Sequence, residues 1–379
     1  TRYPRGSVTS DRPIFARLRG FDAPWVALGD FPTPVQPMRE TGERLGAPDA
    51  LWVKRDDLSA ALYGGNKVRT LEALFGRAKA EGASRIYSTG AYGSNHATAT
   101  VLHAPRVGLE PGAILFPQPR SQAALENLRV ILAQRPVLRA LPHWSFLPLG
   151  MQWQALQDRR EGVVAHQMVP GGATPEGALG YVSAALELAL QVDAGELPVP
   201  AAGLLGVGST CTSAGLLLGM RIAAELGLGW ATAPRLISVR VTPWPVTSAF
   251  RIVGLAVRTG QRLAQITGDS RWAMSRRQLS SGIEVDGGQL GRGYGHATRR
   301  GREAIELVRE TAGFELDTTY SAKAFASAVR RARAASAGPI VFWSTKSTAP
   351  FPAAVEADWR WAPRAMTRWI ERAQSERRA

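Results

Sequence analysis

The chain reads as an α/β protein built on parallel sheets, and three features of the sequence predict it. From Leu51 onward, short apolar runs alternate with segments of helical periodicity, the pattern of repeated strand and helix units. A glycine-rich stretch from Gly206 to Leu216 (GVGSTCTSAGL) follows one such run and opens a helical pattern, as a strand-to-helix turn does. The third feature is size: 379 residues, 45% hydrophobic and 20% charged, suffice for a large buried core shared between two domains.

Residues 1–50 are rich in proline, arginine and glycine, and Pro32 to Met38 (PTPVQPM) reads as an extended arm over the surface. Strands are expected at Arg85 to Ser88, Ala113 to Phe116, Leu204 to Val207, Leu236 to Val241 and Ile340 to Trp343. A first helix should follow Lys67, because Leu71, Leu74, Phe75 and Ala78 fall on one face. The best-marked helix starts at Thr174, with that residue as N-cap, Pro175 in the first turn and Glu176 set favourably against the helix dipole. Its Leu179, Val182, Leu186 and Leu190 form a core-facing stripe. Residues 119–160 resist assignment, and no internal repeat is evident.

Composition excludes several classes. The formal charge of +15 invites a nucleic-acid reading, but the arginines are scattered and carry no aromatic-interleaved recognition motif, which disfavours it. Cys211 is the only cysteine, so no intrachain disulfide or cysteine-based metal cluster is available, and the five histidines lack ligand spacing; no metal is expected. No apolar run reaches membrane-spanning length, and the opening TRYPRGSVTS lacks a secretory apolar segment. Cytoplasmic residence is the expectation.

Four places could carry chemistry. Of 46 basic residues only Lys54, Lys67, Lys79, Lys323 and Lys346 are lysine, and Lys67 stands where Tyr63, Gly64, Gly65 and Asn66 lead into a helix. A lysine there can hold an amine close to a ligand, or simply be solvated, as most lysines are. In Gly93 to Thr98 (GSNHAT) the first amides of a helix and the Ser94 hydroxyl could receive an anion, or Ser94 could be only an N-cap. The glycine-rich turn after Gly206 could wrap a phosphate, a nucleotide or nothing. Tyr294 and Tyr320 could each stack, donate or move a proton, or be ordinary half-buried core residues.

Five blocks in order resemble one family: VKRDDLSAALYGGNKVRTLE, STGAYGSNHATAT, PGGATPEGALGYVSAALELA, GVGSTCTSAGLLLGM and ELDTTYSAKAFASAV, the likeness running from about Phe31 to about Thr348. They are similar to the D-cysteine desulfhydrase and 1-aminocyclopropane-1-carboxylate deaminase family of fold-type II, tryptophan synthase beta-like, pyridoxal 5'-phosphate (PLP) enzymes. The resemblance implies two open, twisted parallel-sheet α/β domains with the cofactor in the cleft. A large PLP-binding domain would comprise 1–68 plus 173–379, with 1–50 as an N-terminal arm, and a small domain, 69–172, would be inserted in it.

The same resemblance implies roles. Lys67 would be the Schiff-base lysine, with Ser94, Tyr294 and Tyr320 as further catalytic residues. Gly208, Ser209, Thr210, Cys211 and Thr212 would cradle the phosphate, Asn95 would bond the cofactor's 3′ oxygen, and Thr345 would face the pyridine nitrogen region. Ser94, Asn95 and His96 would receive the substrate carboxylate. Some positions depart from the family: Thr210 and Cys211 stand where glycines are usual, so the loop should avoid glycine-only backbone angles or bind phosphate in altered geometry. Ala97-Thr98 replaces Thr-Arg, Thr318-Thr319 replaces Pro-Val, and Lys346-Ser347 replaces Gly-Gly.

The implied function is a PLP-dependent lyase or deaminase. It would act on a small amino acid through an external aldimine and Cα deprotonation, with β-elimination giving a 2-oxo acid and ammonia. Alternatives are β-replacement, cyclopropane amino acid deamination, or a catalytically inactive binding or scaffold protein of the same fold. Hydroxyl residues at Ser321 and Thr345, where the cyclopropane deaminases have Glu and Leu, weaken the electron sink and disfavour cyclopropane opening. A homodimer is expected, with no membrane partner.

Overall fold

A computed structural model describes residues 11–334, 338–349 and 359–378; the first ten residues of the expected arm lie outside them. In chain order the elements are α1 (Pro13–Arg17), β1 (Val35–Pro37), α2 (Arg39–Arg44), β2 (Leu51–Lys54), α3 (Asn66–Ala80), β3 (Arg85–Ala91), α4 (Asn95–His103), β4 (Glu110–Phe116), α5 (Gln122–Ala133), β5 (Val137–Ala140) and α6 (Leu147–Arg160). They continue with β6 (Ala165–Gln167), α7 (Pro175–Asp193), β7 (Ala202–Val207), α8 (Cys211–Glu225), β8 (Arg235–Arg240), α9 (Ala249–Thr267), α10 (Arg276–Ser280), β9 (Ile283–Asp286), α11 (Arg299–Ala312), α12 (Ser321–Arg333), β10 (Ile340–Trp343) and α13 (Arg364–Arg378).

The strands form two sheets, one ordered β1-β2-β10-β7-β8-β9 and the other β5-β4-β3-β6. Every neighbouring pair is parallel except β1 with β2. The two inner strands β7 and β10 are buried along their whole length, as parallel strands covered on both faces must be. All five expected strands are present, so the α/β parallel reading holds. The short β1, β2, β5, β6 and β9 are additional.

α7 is the spine that positions the site. Thr174 caps it, its Oγ1 accepting from Gly177 N at 3.1 Å. Two helices then approach it at backbone distance. A Cβ added to Gly180 would stand 2.1 Å from Arg69 O of α3, and one added to Gly215 of α8 would stand 2.3 Å from Ala178 O. The helix that begins at Asn66, beside Lys67, and the helix that follows the glycine-rich turn are therefore both locked to one support.

Buried ion pairs fasten the same region. Arg69 donates to Asp56 and to Glu187, Lys54 Nζ donates to Glu187 Oε1 at 2.6 Å, and Tyr181 OH and Trp343 Nε1 both donate to Asp56 Oδ2. Burial alone raises the Glu187 carboxyl, but Arg69 and Lys54 bring it down to about 2. Elsewhere, α3 turns Val68, Leu71, Leu74, Phe75 and Ala78 into the core of the smaller sheet. α13 joins that core through Met366, Trp369 and Ile370, although it comes from the segment expected in the larger domain. Trp369 Nε1 donates to Gln118 O at 2.9 Å.

Candidate active site

Gly65 caps α3 with φ +92°, a left-handed backbone that suits only glycine, and a Cβ there would lie 2.7 Å from Thr345 O. Asn66 N donates to that same carbonyl at 2.9 Å, so the turn after β10 fixes where Lys67 begins. Lys67 is 9% exposed and its Nζ donates to Gly171 O at 3.3 Å. Burial lowers its pKa, partly offset by Cys211. A solvated surface lysine is excluded; this is a shielded amine biased toward its neutral, nucleophilic form.

The glycine-rich turn comes next to it. Thr210, the N-cap of α8, has φ +73° and ψ −16°. Of the two alternatives for this turn, avoidance of glycine-only angles fails at Thr210: the left-handed conformation persists with a β-branched residue in it, at a cost of about 1–2 kcal/mol. Cys211 is already helical and needs no such backbone. Its Sγ donates to Gly172 O at 3.2 Å, and burial pushes its thiol up to about 11, so it is no nucleophile. Thr212 Oγ1 accepts from Asn66 Nδ2 at 2.9 Å, which ties the two loops together.

Gly171 shows how close they are. A Cβ on it would lie 2.3 Å from Ser209 Cβ and 3.8 Å from Lys67 Nζ, so the amine and the turn flank one glycine. Gly208 faces the ring of Tyr320, its would-be Cβ 3.2 Å from Cε1.

The Gly93 to Thr98 segment supplies the N-terminus of α4. Ser94 does act as N-cap, its Oγ accepting from Ala97 N at 3.3 Å. Asn95 Oδ1 accepts from Asn127 Nδ2 at 2.7 Å and from Tyr63 OH at 3.2 Å. His96 is buried beside Gly172, and neither ring nitrogen has a hydrogen-bond partner. Burial, then Lys67, lowers its pKa to about 3, so the imidazole is neutral.

Tyr320 OH donates to Tyr294 OH at 3.1 Å, and the rings meet edge to face. Burial raises the pKa of both phenols, which keeps their protons on. Asp317 fixes Tyr320 by accepting from its backbone N at 2.8 Å, and Lys323 Nζ holds the Tyr294 loop by donating to Leu290 O and Gly293 O at 2.9 Å each. Thr345 is buried at the turn that receives Asn66. Tyr294, Tyr320, Asn95, Asn127 and Lys346 line one narrow cleft. Asn127, Asp317 and Gly171 were not singled out from sequence, although Asp317 and Gly171 lie within the blocks ELDTTYSAKAFASAV and PGGATPEGALGYVSAALELA; the scarcity of lysine could have pointed to Lys323, and Lys346 stood out only as a departure from Gly-Gly.

These residues suit a phosphate-bearing aldehyde. A shielded amine stands beside a turn whose helix offers its first, intrahelically unpartnered amides and positive dipole end to an anion, and a retained strained residue keeps that turn in shape. No cluster of His, Cys, Asp or Glu able to hold a metal ion occurs among the described residues, and no helix there is long and apolar enough to cross a membrane.

Comparison with known proteins bears on the same residues. Residues 26–346 match the family described as pyridoxal-phosphate dependent enzyme. Nocardicin C-9' epimerase of Nocardia uniformis subsp. tsuyamanensis is 32% identical over 306 residues, covering 80% of this chain and 88% of the relative. D-cysteine desulfhydrase of Salmonella paratyphi C is 28% identical, covering 85% and 93%. Among solved structures, an ACC deaminase homologue aligns with a TM-score of 0.66 at 27% identity, over 86% of this chain and 93% of that one.

Proposed function

The chain belongs to the pyridoxal-phosphate dependent enzymes, with the fold-type II architecture and pyridoxal phosphate as cofactor, and on that premise we propose that it takes the Cα proton of a small amino acid and expels a β-substituent. The products are a 2-oxo acid and ammonia, the outcome implied by likeness to D-cysteine desulfhydrase. The observation that carries the reading is the pairing of opposite proton states: a buried Lys67 amine biased toward neutrality, and a Tyr320–Tyr294 pair that burial keeps protonated.

When bound, pyridoxal phosphate supplies an electron sink that acidifies the Cα–H bond. Lys67 would anchor it, while Ser209, Thr210 and the first amides of α8, with Gly208, Cys211 and Thr212, would hold its phosphate. Asn95 and Thr345 would face the rest of the ring. Lys67, released from the cofactor when the substrate's amine takes its place, would then accept the Cα proton, for which an amine of lowered pKa is matched. The electron pair left at Cα forms a double bond to Cβ as the β-substituent departs with its bonding pair. Tyr320, in line with Tyr294, delivers a proton to that leaving group, and water then releases the 2-oxo acid and ammonia. Ser94, Asn95 and His96, at the N-terminus of α4, orient the substrate carboxylate.

The relative at 32% identity favours a second reading, epimerisation, in which the proton is returned to the opposite face of Cα. Both readings share the base. The organisation into 1–68 plus 173–379 and an inserted 69–172, save that α13 packs into the core of the inserted part, belongs to the same proposal, as do a homodimer and cytoplasmic residence.

The test is a panel of D- and L-amino acids, D-cysteine included, incubated with the holoenzyme in heavy water. Elimination gives ammonia and a 2-oxo acid; epimerisation gives deuterium at Cα and loss of optical purity without ammonia. Retention of Cα–H throughout, with the cofactor visibly bound through Lys67, overturns both in favour of a binding or scaffold protein.

A further inference from the structure

Asn127 of α5 is buried and lines the cleft beside Gly93 and Asn95. Its Nδ2 donates to Gly93 O at 2.9 Å and to Asn95 Oδ1 at 2.7 Å, whereas its own Oδ1, buried as well, has no hydrogen-bond partner among the described residues. A buried acceptor left unmatched is costly, so the residue is placed for its two N–H groups. Close packing sets their reach: a Cβ on Gly93 would lie 2.5 Å from the Cα and Cβ of Ala124, one turn before Asn127, and only glycine lets α5 come this near.

These contacts decide which way round the Asn95 amide stands, because the oxygen and nitrogen of an asparagine are told apart by their partners. A backbone carbonyl only accepts, so Gly93 O requires the Asn127 nitrogen on its side. The second N–H of that nitrogen then requires an oxygen from Asn95. Asn95 Oδ1 also accepts from Tyr63 OH at 3.2 Å, which occupies its second lone pair. Its Nδ2 makes no hydrogen bond to a described residue and keeps two N–H groups to donate.

From this arrangement we infer that Asn127 is a positioning residue for the cofactor: by holding Asn95 Oδ1 it leaves Asn95 Nδ2 to donate to the 3′ oxygen of pyridoxal phosphate. The inference rests on the reading that Asn95 faces the cofactor ring. The Tyr63 hydroxyl can donate or accept, so it does not set the amide by itself. With an aspartate at 127, ionised or with its one proton spent on Gly93 O, the carboxyl can only accept from Asn95. The amide then turns over and sets an acceptor against the cofactor's oxygen.

The test compares two ligands of the apoprotein, pyridoxal 5'-phosphate and 3-deoxypyridoxal 5'-phosphate, which lacks only the ring hydroxyl. Their dissociation constants are read by absorbance titration, and the ratio of the second to the first in the wild type is the reference. Asn95→Ala should lower that ratio about tenfold, the range of one hydrogen bond to a charged group. Asn127→Asp should lower it by a similar factor, and the double variant should go no further than Asn95→Ala alone, as expected when one residue acts through the other. Asn127→Leu leaves the amide free to stand either way and should lower the ratio only about twofold, so misfolding of the aspartate variant does not decide the outcome. If both constants rise equally in the Asn127 variants, the ratio keeps its wild-type value, Asn127 is only a tie between α5 and Gly93, and the inference is overturned. A further fall in the double variant overturns it too, since the new carboxyl would then act on the cofactor directly. An unchanged ratio in Asn95→Ala overturns the placement of Asn95 at the ring as well. Turnover is not read in any arm, so the outcome is separate from the choice between elimination and epimerisation.

Discussion

Arg69 donates from Nε and Nη2 to the two carboxylate oxygens of Asp56, at 3.0 and 2.8 Å, two residues along α3 from Lys67. Both side chains are buried, and Asp56 also accepts from Tyr181 and Trp343. Breaking a buried pair by removing one partner strands the other charge, which costs about 3–5 kcal/mol. Asp56→Ala should therefore lower unfolding free energy by that order in chemical denaturation. Exposed Arg44, paired to Glu310 on the surface, makes the control: Glu310→Ala should change stability by less than about 1 kcal/mol. Equal effects from the two would mean that the buried cluster is not what anchors α3.

The lowered pKa of Lys67 has a consequence for the apoprotein. Its ordinary value is 10.5, and burial depresses the folded value below that. Between the two, the unfolded chain holds a proton on this residue that the folded chain does not, so folding there releases a proton and stability rises with pH. Below the folded pKa both states are protonated, and the burial cost is at its largest. Lys67→Met should thus be more stable than the wild-type apoprotein near neutrality, and the gap should narrow as pH approaches 10.5. A gap that does not change across that range would show that the amine is already solvated.

Thr210 keeps a left-handed backbone that glycine would adopt freely. Thr210→Gly should relieve about 1–2 kcal/mol of strain, less the extra entropy that glycine gives the unfolded chain, for a net gain of about 0.5–1 kcal/mol. Because the turn's backbone shape is unchanged, cofactor affinity should fall only by the share of the lost Thr210 hydroxyl, about 0.5–1.5 kcal/mol. Thermal unfolding of the apoprotein and a cofactor titration check the two halves separately. Destabilisation by the glycine would mean that the threonine side chain makes a contact worth more than the strain.

How far the sequence reached is clear from individual residues. Elements with strong periodicity were legible: Leu71, Leu74, Phe75 and Ala78 all face core, and Thr174 caps α7. α6 was not, because Leu149, Trp153 and Leu156, its conspicuous apolar residues, are exposed and mark no buried face. β6 has three residues, Ala165 to Gln167, half-buried throughout, so neither run length nor alternation betrays it. At the site, Gly171 lies between Lys67 and the glycine-rich turn, and Gly208 of that turn faces Tyr320, which is bonded to Tyr294. Asn127 and Asp317 act only through partners distant in sequence or through backbone amides, and a lone polar residue shows neither from sequence. The positive φ of Thr210 was not expected because propensity disfavours that backbone in a β-branched residue.

On the proposed mechanism Tyr320 would separate the two fates of the Cα-deprotonated substrate: its hydroxyl, bonded to Tyr294 at 3.1 Å and kept protonated by burial, would be the donor for a departing β-substituent, whereas Lys67 alone would remove the Cα proton. Tyr320→Phe deletes one oxygen while leaving the ring against Gly208 and the backbone held by Asp317. Ammonia release should fall by about 100-fold or more, the range for losing one general acid. Exchange of the Cα proton with heavy water, followed by nuclear magnetic resonance on the same samples, should continue at a rate within a few-fold of the wild type. If exchange and ammonia release fall together, Tyr320 serves the deprotonation step itself, and the division of labour between lysine and tyrosine is wrong.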